Sequence, residues 1–254
     1  MKIPLQRTYF DKAEEKAVVG VLRSGWVTQG PKVAEFEEAV KNFIGAKYAI
    51  ATTSATTGLF LSLHVLGLKP GDEVIVPSFS FIATANVVVH TGATPVFVDI
   101  DPNTYNINPE AVERAITKKT KVIIPVDQVG LPCDLDKIYK IAKAHKLHVV
   151  EDAACALGSK YKGKMIGSFG EFSVFSFHPR KIITTGEGGM ILTDNKKYAN
   201  ELRILRHQGM SVSDVVRYKS KKIIHETYPV VGYNFRMSDI QAAIGVEQMK
   251  KLPK

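Results

Sequence analysis

Cysteine is scarce in this chain. Its 254 residues hold only Cys133 and Cys155. Two thiols make no disulfide framework, so stability must come from a core, and a reducing compartment such as the cytoplasm fits. Long apolar runs are missing as well. No window approaches the roughly 18 consecutive apolar residues that suggest a membrane helix. The N-terminus, Met1-Lys-Ile-Pro-Leu-Gln-Arg, lacks an apolar signal core. No Cys/His set has metal-ligand spacing, and His145 and His148 only straddle a helix-to-strand junction. The G-x-S-x-G elbow of a serine hydrolase is absent. The chain contains neither an internal repeat nor a low-complexity tract.

Acidic residues are outnumbered, with 25 Asp and Glu against 34 Lys and Arg, a net charge of +9. A positive field raises the local concentration of phosphate-bearing ligands. Nucleic acid is not expected, because the basic residues are spread along the chain and no binding motif accompanies them. Arg217, Lys219, Lys221 and Lys222 form the densest stretch and read as a solvated loop.

Hydrophobic residues make up 45% of the chain. That supports one large domain, or one domain plus a fragment of a second. Helical periodicity covers 11–24 and 31–44, stopped by Gly25 and Gly45. A regular alternation follows. Strands are predicted at 48–52, 73–76, 95–100, 122–126 and 148–151. Helices are predicted at 54–66, 81–90, 109–116 and 135–145, with Asn108 and Asp134 as caps for the last two. Strands at 172–176 and 190–193 and helices at 198–206 and 238–251 complete the pattern. Residues 209–228 read as a long loop. Short β-branched strands with helices between them predict an α/β fold, a mainly parallel sheet sandwiched by helices.

Ligands of such sheets collect at the carboxyl ends of the strands. Residues 52–57, Asp152 and Ser176 fall there, and Lys181 lies five residues beyond Ser176. Lys181 stands after an apolar strand and before Thr184-Thr-Gly-Glu-Gly-Gly189, a run that lets the backbone turn sharply near a ligand. An amine so placed can form a Schiff base. A carboxylate at the end of 148–152 would complete the pair that pyridoxal phosphate (PLP) needs, lysine for its aldehyde and aspartate for its pyridinium nitrogen. Side chains alternate along a strand, so only one of Glu151 and Asp152 can face the ligand. Asp152 could instead cap the next turn. Ser54-Ala-Thr-Thr-Gly58 opens a helix, where free N–H groups suit a phosphate. Simple N-capping by Ser54 would look the same. Ser176 could add a hydroxyl to that phosphate. Phe79 or Phe81 could stack on a flat heterocycle, although core packing is the simpler reading of either.

These segments resemble the fold-type I PLP-dependent sugar aminotransferases, often called the DegT family. The matching stretches are Ser54-Ala-Thr-Thr, Pro77-Ser-Phe-Ser-Phe-Ile-Ala-Thr-Ala-Asn86, Gly92-Ala-Thr-Pro-Val-Phe-Val-Asp99 and Glu151-Asp-Ala-Ala-Cys-Ala-Leu-Gly158. The Lys181 segment and Gly232-Tyr-Asn-Phe-Arg-Met-Ser-Asp-Ile-Gln-Ala-Ala-Ile-Gly245 complete the set, in the family's order. The resemblance implies that Lys181 holds the cofactor and shuttles the proton, and that Asp152 pairs with the pyridine nitrogen. It implies that Phe81 stacks on the ring and that Thr56, Thr57 and Ser176 contact the phosphate. Asn234 would reach the phosphate of a neighbouring subunit, which implies a homodimer with shared active sites. Cys155 stands near the cofactor where members often carry His or Gln.

A sister branch of dehydratases carries histidine in place of the lysine, so Lys181 favours transamination. The implied donor is an amino acid, glutamate, and the implied acceptor a nucleotide-linked keto sugar. The His-Pro-Arg sequence before Lys181 looks most like members acting at C4 of 4-keto-6-deoxy sugars. Residues 1–235 would form the PLP-binding large domain, and 236–254 the start of a small domain whose remainder is absent. That truncation leaves a non-catalytic paralogue as an alternative, and a cyclitol or other keto compound as an alternative acceptor.

Overall fold

A computed structural model of the chain describes residues 6–212, 216, 217, 220 and 222–252. Lys219 and Lys221 of the basic stretch, part of the predicted 209–228 loop, residues 1–5 and residues 253–254 lie outside that set.

Two helices come first, α1 (Lys12–Ser24) and α2 (Pro31–Ile44). Asp11 caps α1 by accepting from the Ala13 N–H at 2.7 Å, and Glu14 returns a bond to the Asp11 N–H at 2.9 Å. Gly25 and Gly45 close the two helices in left-handed conformations, which glycine adopts without Cβ strain. The alternation then runs β1 (Tyr48–Thr52), α3 (Ala55–Val65), β2 (Glu73–Pro77), α4 (Ala83–His90) and β3 (Thr94–Val98). It continues with α5 (Pro109–Ala115), β4 (Thr120–Ile123), α6 (Leu135–His145) and β5 (His148–Asp152). A small hairpin, β6 (Lys160–Tyr161) and β7 (Lys164–Met165), precedes β8 (Phe172–Ser176), β9 (Gly189–Thr193), α7 (Lys196–Leu205) and α8 (Asp239–Lys251).

Seven strands form one sheet in the order β1-β9-β8-β5-β4-β2-β3. Only β9 runs against its neighbours, pairing antiparallel with both β1 and β8. The other pairings, β2–β3, β2–β4, β4–β5 and β5–β8, are parallel. The expected α/β class is therefore what the chain adopts. Helices cover both faces. One core cluster joins α2, α5, α6 and α8 to the sheet, around Phe36, Phe175 and Phe177. The other joins α3, α4 and α7 to the opposite face, around Leu59, Val87 and Phe172. Each buried phenylalanine contributes about 1.5–3 kcal/mol relative to exposure.

Several details depart from the sequence reading, among them β4, which ends at Ile123 rather than at 126. Asp134 makes no capping bond to α6. Its carboxylate instead accepts from the Tyr161 hydroxyl at 2.9 Å. The β6–β7 hairpin was not predicted, because two residues per strand carry no alternation to read. Helix α4 starts at Ala83, two residues later than expected, which leaves Phe81 in the loop before it.

Helix α8 packs on α1 and α2 and sends Ala242, Val246 and Met249 into the same core as Phe36. The Asp239 carboxylate accepts from the N–H groups of Gly30, Lys32 and Val33 at 2.8, 3.0 and 3.0 Å, and so caps α2 from 206–209 residues away in sequence. Glu14, buried beneath α8, pairs with Lys251 at 2.6 Å and accepts from Gln248 at 2.8 Å.

Candidate active site

Parallel strands bring their carboxyl ends to one edge of the sheet. Thr52 ends β1, Asp152 ends β5 and Ser176 ends β8 there. The antiparallel β9 begins at the same edge, with Gly189 paired to both Thr52 and Ser176. A cleft of about 610 Å³ opens above that edge. This is within the size range of small-ligand sites. Its walls include Thr56, Phe81, Asp152, Ser176 and Lys181. These five predicted residues come from four separate stretches of the chain.

Asp152 is 5% exposed. Its Oδ2 accepts from the Thr84 hydroxyl at 2.8 Å and its Oδ1 from the Ala154 N–H at 3.2 Å. Asp152 thus makes the local turn bond and also stands on the cleft wall. Burial raises the Asp152 pKa, while the Thr84 bond, the Ala154 bond and the charge of Lys181 pull it down. A further cationic group in the cleft would favour the ionised form of that buried carboxylate.

Lys181 follows a turn in which its own N–H donates to the His178 carbonyl at 2.8 Å. Its Nζ lies 3.1 Å from the Cys155 sulfur. Cys155 itself is partly buried. The Thr184–Gly189 run is held by its own bonds. Thr184 donates its hydroxyl to the Phe177 carbonyl at 2.8 Å, and Thr185 donates to the Glu187 carbonyl at 2.7 Å. At Gly189 the backbone passes so close to the start of α3 that a Cβ would stand 2.4 Å from the Ser54 carbonyl. Only glycine lets β9 enter the sheet against that helix end.

Ser54 caps α3, accepting from the Thr57 N–H at 3.2 Å. Thr57 turns its hydroxyl back to donate to the Ser54 carbonyl at 2.9 Å, and the Thr53 hydroxyl lies 3.1 Å from it. Thr56 faces the cleft, and Thr57 braces the turn behind it. Phe81 is 70% exposed on the cleft wall, and Phe79 is exposed beside Tyr105 with ring centroids 5.6 Å apart. Neither ring packs in the core, contrary to the simpler sequence reading. Asn234 is exposed and is not on the cleft wall. Its strand-like bridge to His207 and the bond from Thr53 N–H to the Phe235 carbonyl, 3.1 Å, place it beside the β1 end.

Sequence reasoning gave no role to Thr84, His178, Arg180 or Glu187. Thr84 holds Asp152, and the other three line the cleft. Thr84 lies inside one quoted stretch, but nothing in the spacing of Thr84 and Asp152 connects them. Among the described residues no group of His, Cys, Asp and Glu could hold a metal ion. No described helix is long and apolar enough to cross a membrane.

A family model for the DegT/DnrJ/EryC1/StrS aminotransferases matches residues 8–254. The chain is 45% identical to the spore coat polysaccharide biosynthesis protein SpsC of Bacillus subtilis, over 98% of its own length and 64% of that protein. It is 44% identical to the GDP-perosamine synthase of Caulobacter vibrioides, over 99% of its own length and 65% of that protein. The PLP-form of Spr1654 from Streptococcus pneumoniae superposes with a TM-score of 0.90 at 36% identity, over 100% of this chain and 67% of that one. The chain thus spans just under two thirds of the length of these two curated relatives.

Proposed function

The chain belongs to the DegT/DnrJ/EryC1/StrS aminotransferase family, and from that premise we propose a PLP-dependent sugar aminotransferase. The single observation that carries the reading is Lys181 and Asp152 on the walls of one cleft at the carboxyl edge of the sheet.

The residues fit the cofactor. Thr56 at the start of α3 and Ser176 at the end of β8 would hold its phosphate. Phe81 would cover the ring, and the buried Asp152 would accept the ring N–H. Thr57 would support this from behind, through Ser54. PLP, when bound, supplies the aldehyde and the electron sink. Lys181 Nζ would hold it covalently, then carry a proton to and from the reacting carbon. A buried carboxylate at the ring nitrogen keeps that nitrogen protonated, which is the condition for the sink to work. Cys155, against Lys181 Nζ, would set the direction of the amine.

The proposed acceptor is a nucleotide-linked keto sugar and the proposed donor an amino acid, glutamate. The name GDP-perosamine synthase and the polysaccharide role of SpsC support a sugar acceptor. The position proposed on the sugar is C4 of a 4-keto-6-deoxy ring, and the compartment the cytoplasm. We place the large domain at 1–235 and the start of a small domain at 236–254. A homodimer with shared sites is supported by Asn234, exposed at the β1 end yet off its own cleft wall. Its amide would complete the partner's phosphate site.

Mixing the purified chain with PLP tests the reading. A visible absorbance band that borohydride fixes to the protein is expected, with the label on Lys181. Covalent labelling that persists in Lys181→Ala would overturn the assignment.

A further inference from the structure

Strand β5 carries two adjacent acids on opposite sides. Asp152 lines the cleft, and Glu151 points the other way and is 0% exposed. Asp127, just beyond β4, is also 0% exposed. Asp127 follows the Val126–Asp152 bridge, so by the alternation of side chains it shares the face of Glu151, and each carboxyl acts electrostatically on the other. Their oxygens divide cleanly. Asp127 accepts from the Cys133 N–H at 2.8 Å, and Glu151 Oε2 accepts from the Ser173 hydroxyl at 2.5 Å. Asp127 Oδ2 and Glu151 Oε1 are buried with no donor.

Two ionised carboxylates would repel each other there, and one oxygen of each would also lack a donor. We infer that one proton is held between Asp127 and Glu151, and that this acid pair is a positioning element for Asp152. A single proton satisfies both orphaned oxygens at once, making one a donor and the other its acceptor. The link bears on Asp152 through the backbone. The Asp127 N–H donates to the Asp152 carbonyl at 3.1 Å, and the Asp152 N–H donates to the Pro125 carbonyl at 2.9 Å.

The surroundings favour a retained proton. Cys133 and Ser173 face the pair, Tyr139 approaches from α6 with Glu171 beyond it, and Asp152 lies on the cleft side. Lys181 acts on Asp152. Burial pushes Asp127 up to about 7, with the Asp152 charge adding to the rise. Burial and the Asp127 charge push Glu151 well above the ordinary carboxylate range.

The shared proton stands on the buried geometry alone, whereas its service to Asp152 rests on the aminotransferase reading. Infrared spectroscopy of the folded chain near pH 8, about four units above an ordinary carboxyl pKa, tests the first part. A protonated-carboxyl stretch is expected in the wild type and lost in the Glu151→Gln difference spectrum. A wild-type spectrum without that stretch overturns the inference, whatever the variants do. So does a stretch unchanged in both Glu151→Gln and Asp127→Asn. Affinity for PLP, read from its absorbance, tests the second part. Glu151→Gln, whose amide can donate to Asp127, should keep wild-type affinity. Glu151→Leu, with nothing to donate, should lose roughly tenfold. Equal affinities in Gln and Leu variants remove the positioning role. A wild type that shows the stretch and binds no PLP keeps the proton, removes its service to Asp152 and overturns the aminotransferase reading.

Discussion

The ε-amine of Lys181 lies 3.1 Å from the sulfur of Cys155, joining an amine of the cleft wall to one of the chain's two thiols. The other thiol, Cys133, is fully buried, and burial pushes its pKa up. Thiol reagents should therefore modify Cys155 far faster than Cys133. Loading with PLP should slow that modification, and prior alkylation should block loading. Mass spectrometry of the labelled peptides reads both; equal labelling of the two cysteines would count against the contact.

Thr84 donates its hydroxyl to the buried Asp152 carboxylate at 2.8 Å. Thr84→Val keeps the shape and removes the donor. The expected cost is about 1–3 kcal/mol in urea unfolding, because a buried carboxylate oxygen loses its partner. The Asp152 pKa, already raised by burial, should rise further.

Gly189 admits no side chain. A Cβ there would stand 2.4 Å from the Ser54 backbone, which cannot swing aside as a flexible side chain would. Gly189→Ala should destabilise by roughly 1–3 kcal/mol or more through overpacking. It should also weaken PLP binding, since α3 would be displaced from the cleft. Unfolding and absorbance titrations measure the two effects separately.

His148 Nδ1 sits 2.6 Å from Glu171, and that bond raises the His148 pKa above its ordinary value, against a smaller opposing effect of burial. A raised folded pKa means stability that is fully present below the unfolded histidine's pKa of about 6.5 and lost as pH climbs through the folded one. Both side chains are more than a third exposed, so solvent screening limits the contribution to about 1 kcal/mol or less. Glu171→Gln should flatten the melting temperature across that window. An unchanged pH profile in the variant would rule the pair out as its source.

The α/β alternation was legible because short β-branched strands and amphipathic helices have distinct periods. Helices α2 and α6 and strands β1 and β8 fall at the predicted bounds. The antiparallel β9 was not legible, since direction is set by what a strand pairs with. The β6–β7 hairpin was too short to read. Asp134 reads as a cap, but the Tyr161 hydroxyl, 27 residues on, competes for it.

The sequence by itself determined which chemical groups were present and in what order: one lysine before a glycine-rich turn, a Glu-Asp pair ending a strand, a hydroxyl-rich helix start. Those follow from local residue types and short-range periodicity. Only the tertiary structure decided which groups meet. It chose Asp152 over Glu151 for the cleft, set Thr84 beneath it, brought Cys155 to Lys181 and buried Asp127 against Glu151. Such contacts span up to 68 residues and depend on strand order, direction and register. Those are settled by burying both faces of the sheet at once, a condition that no local window of sequence contains.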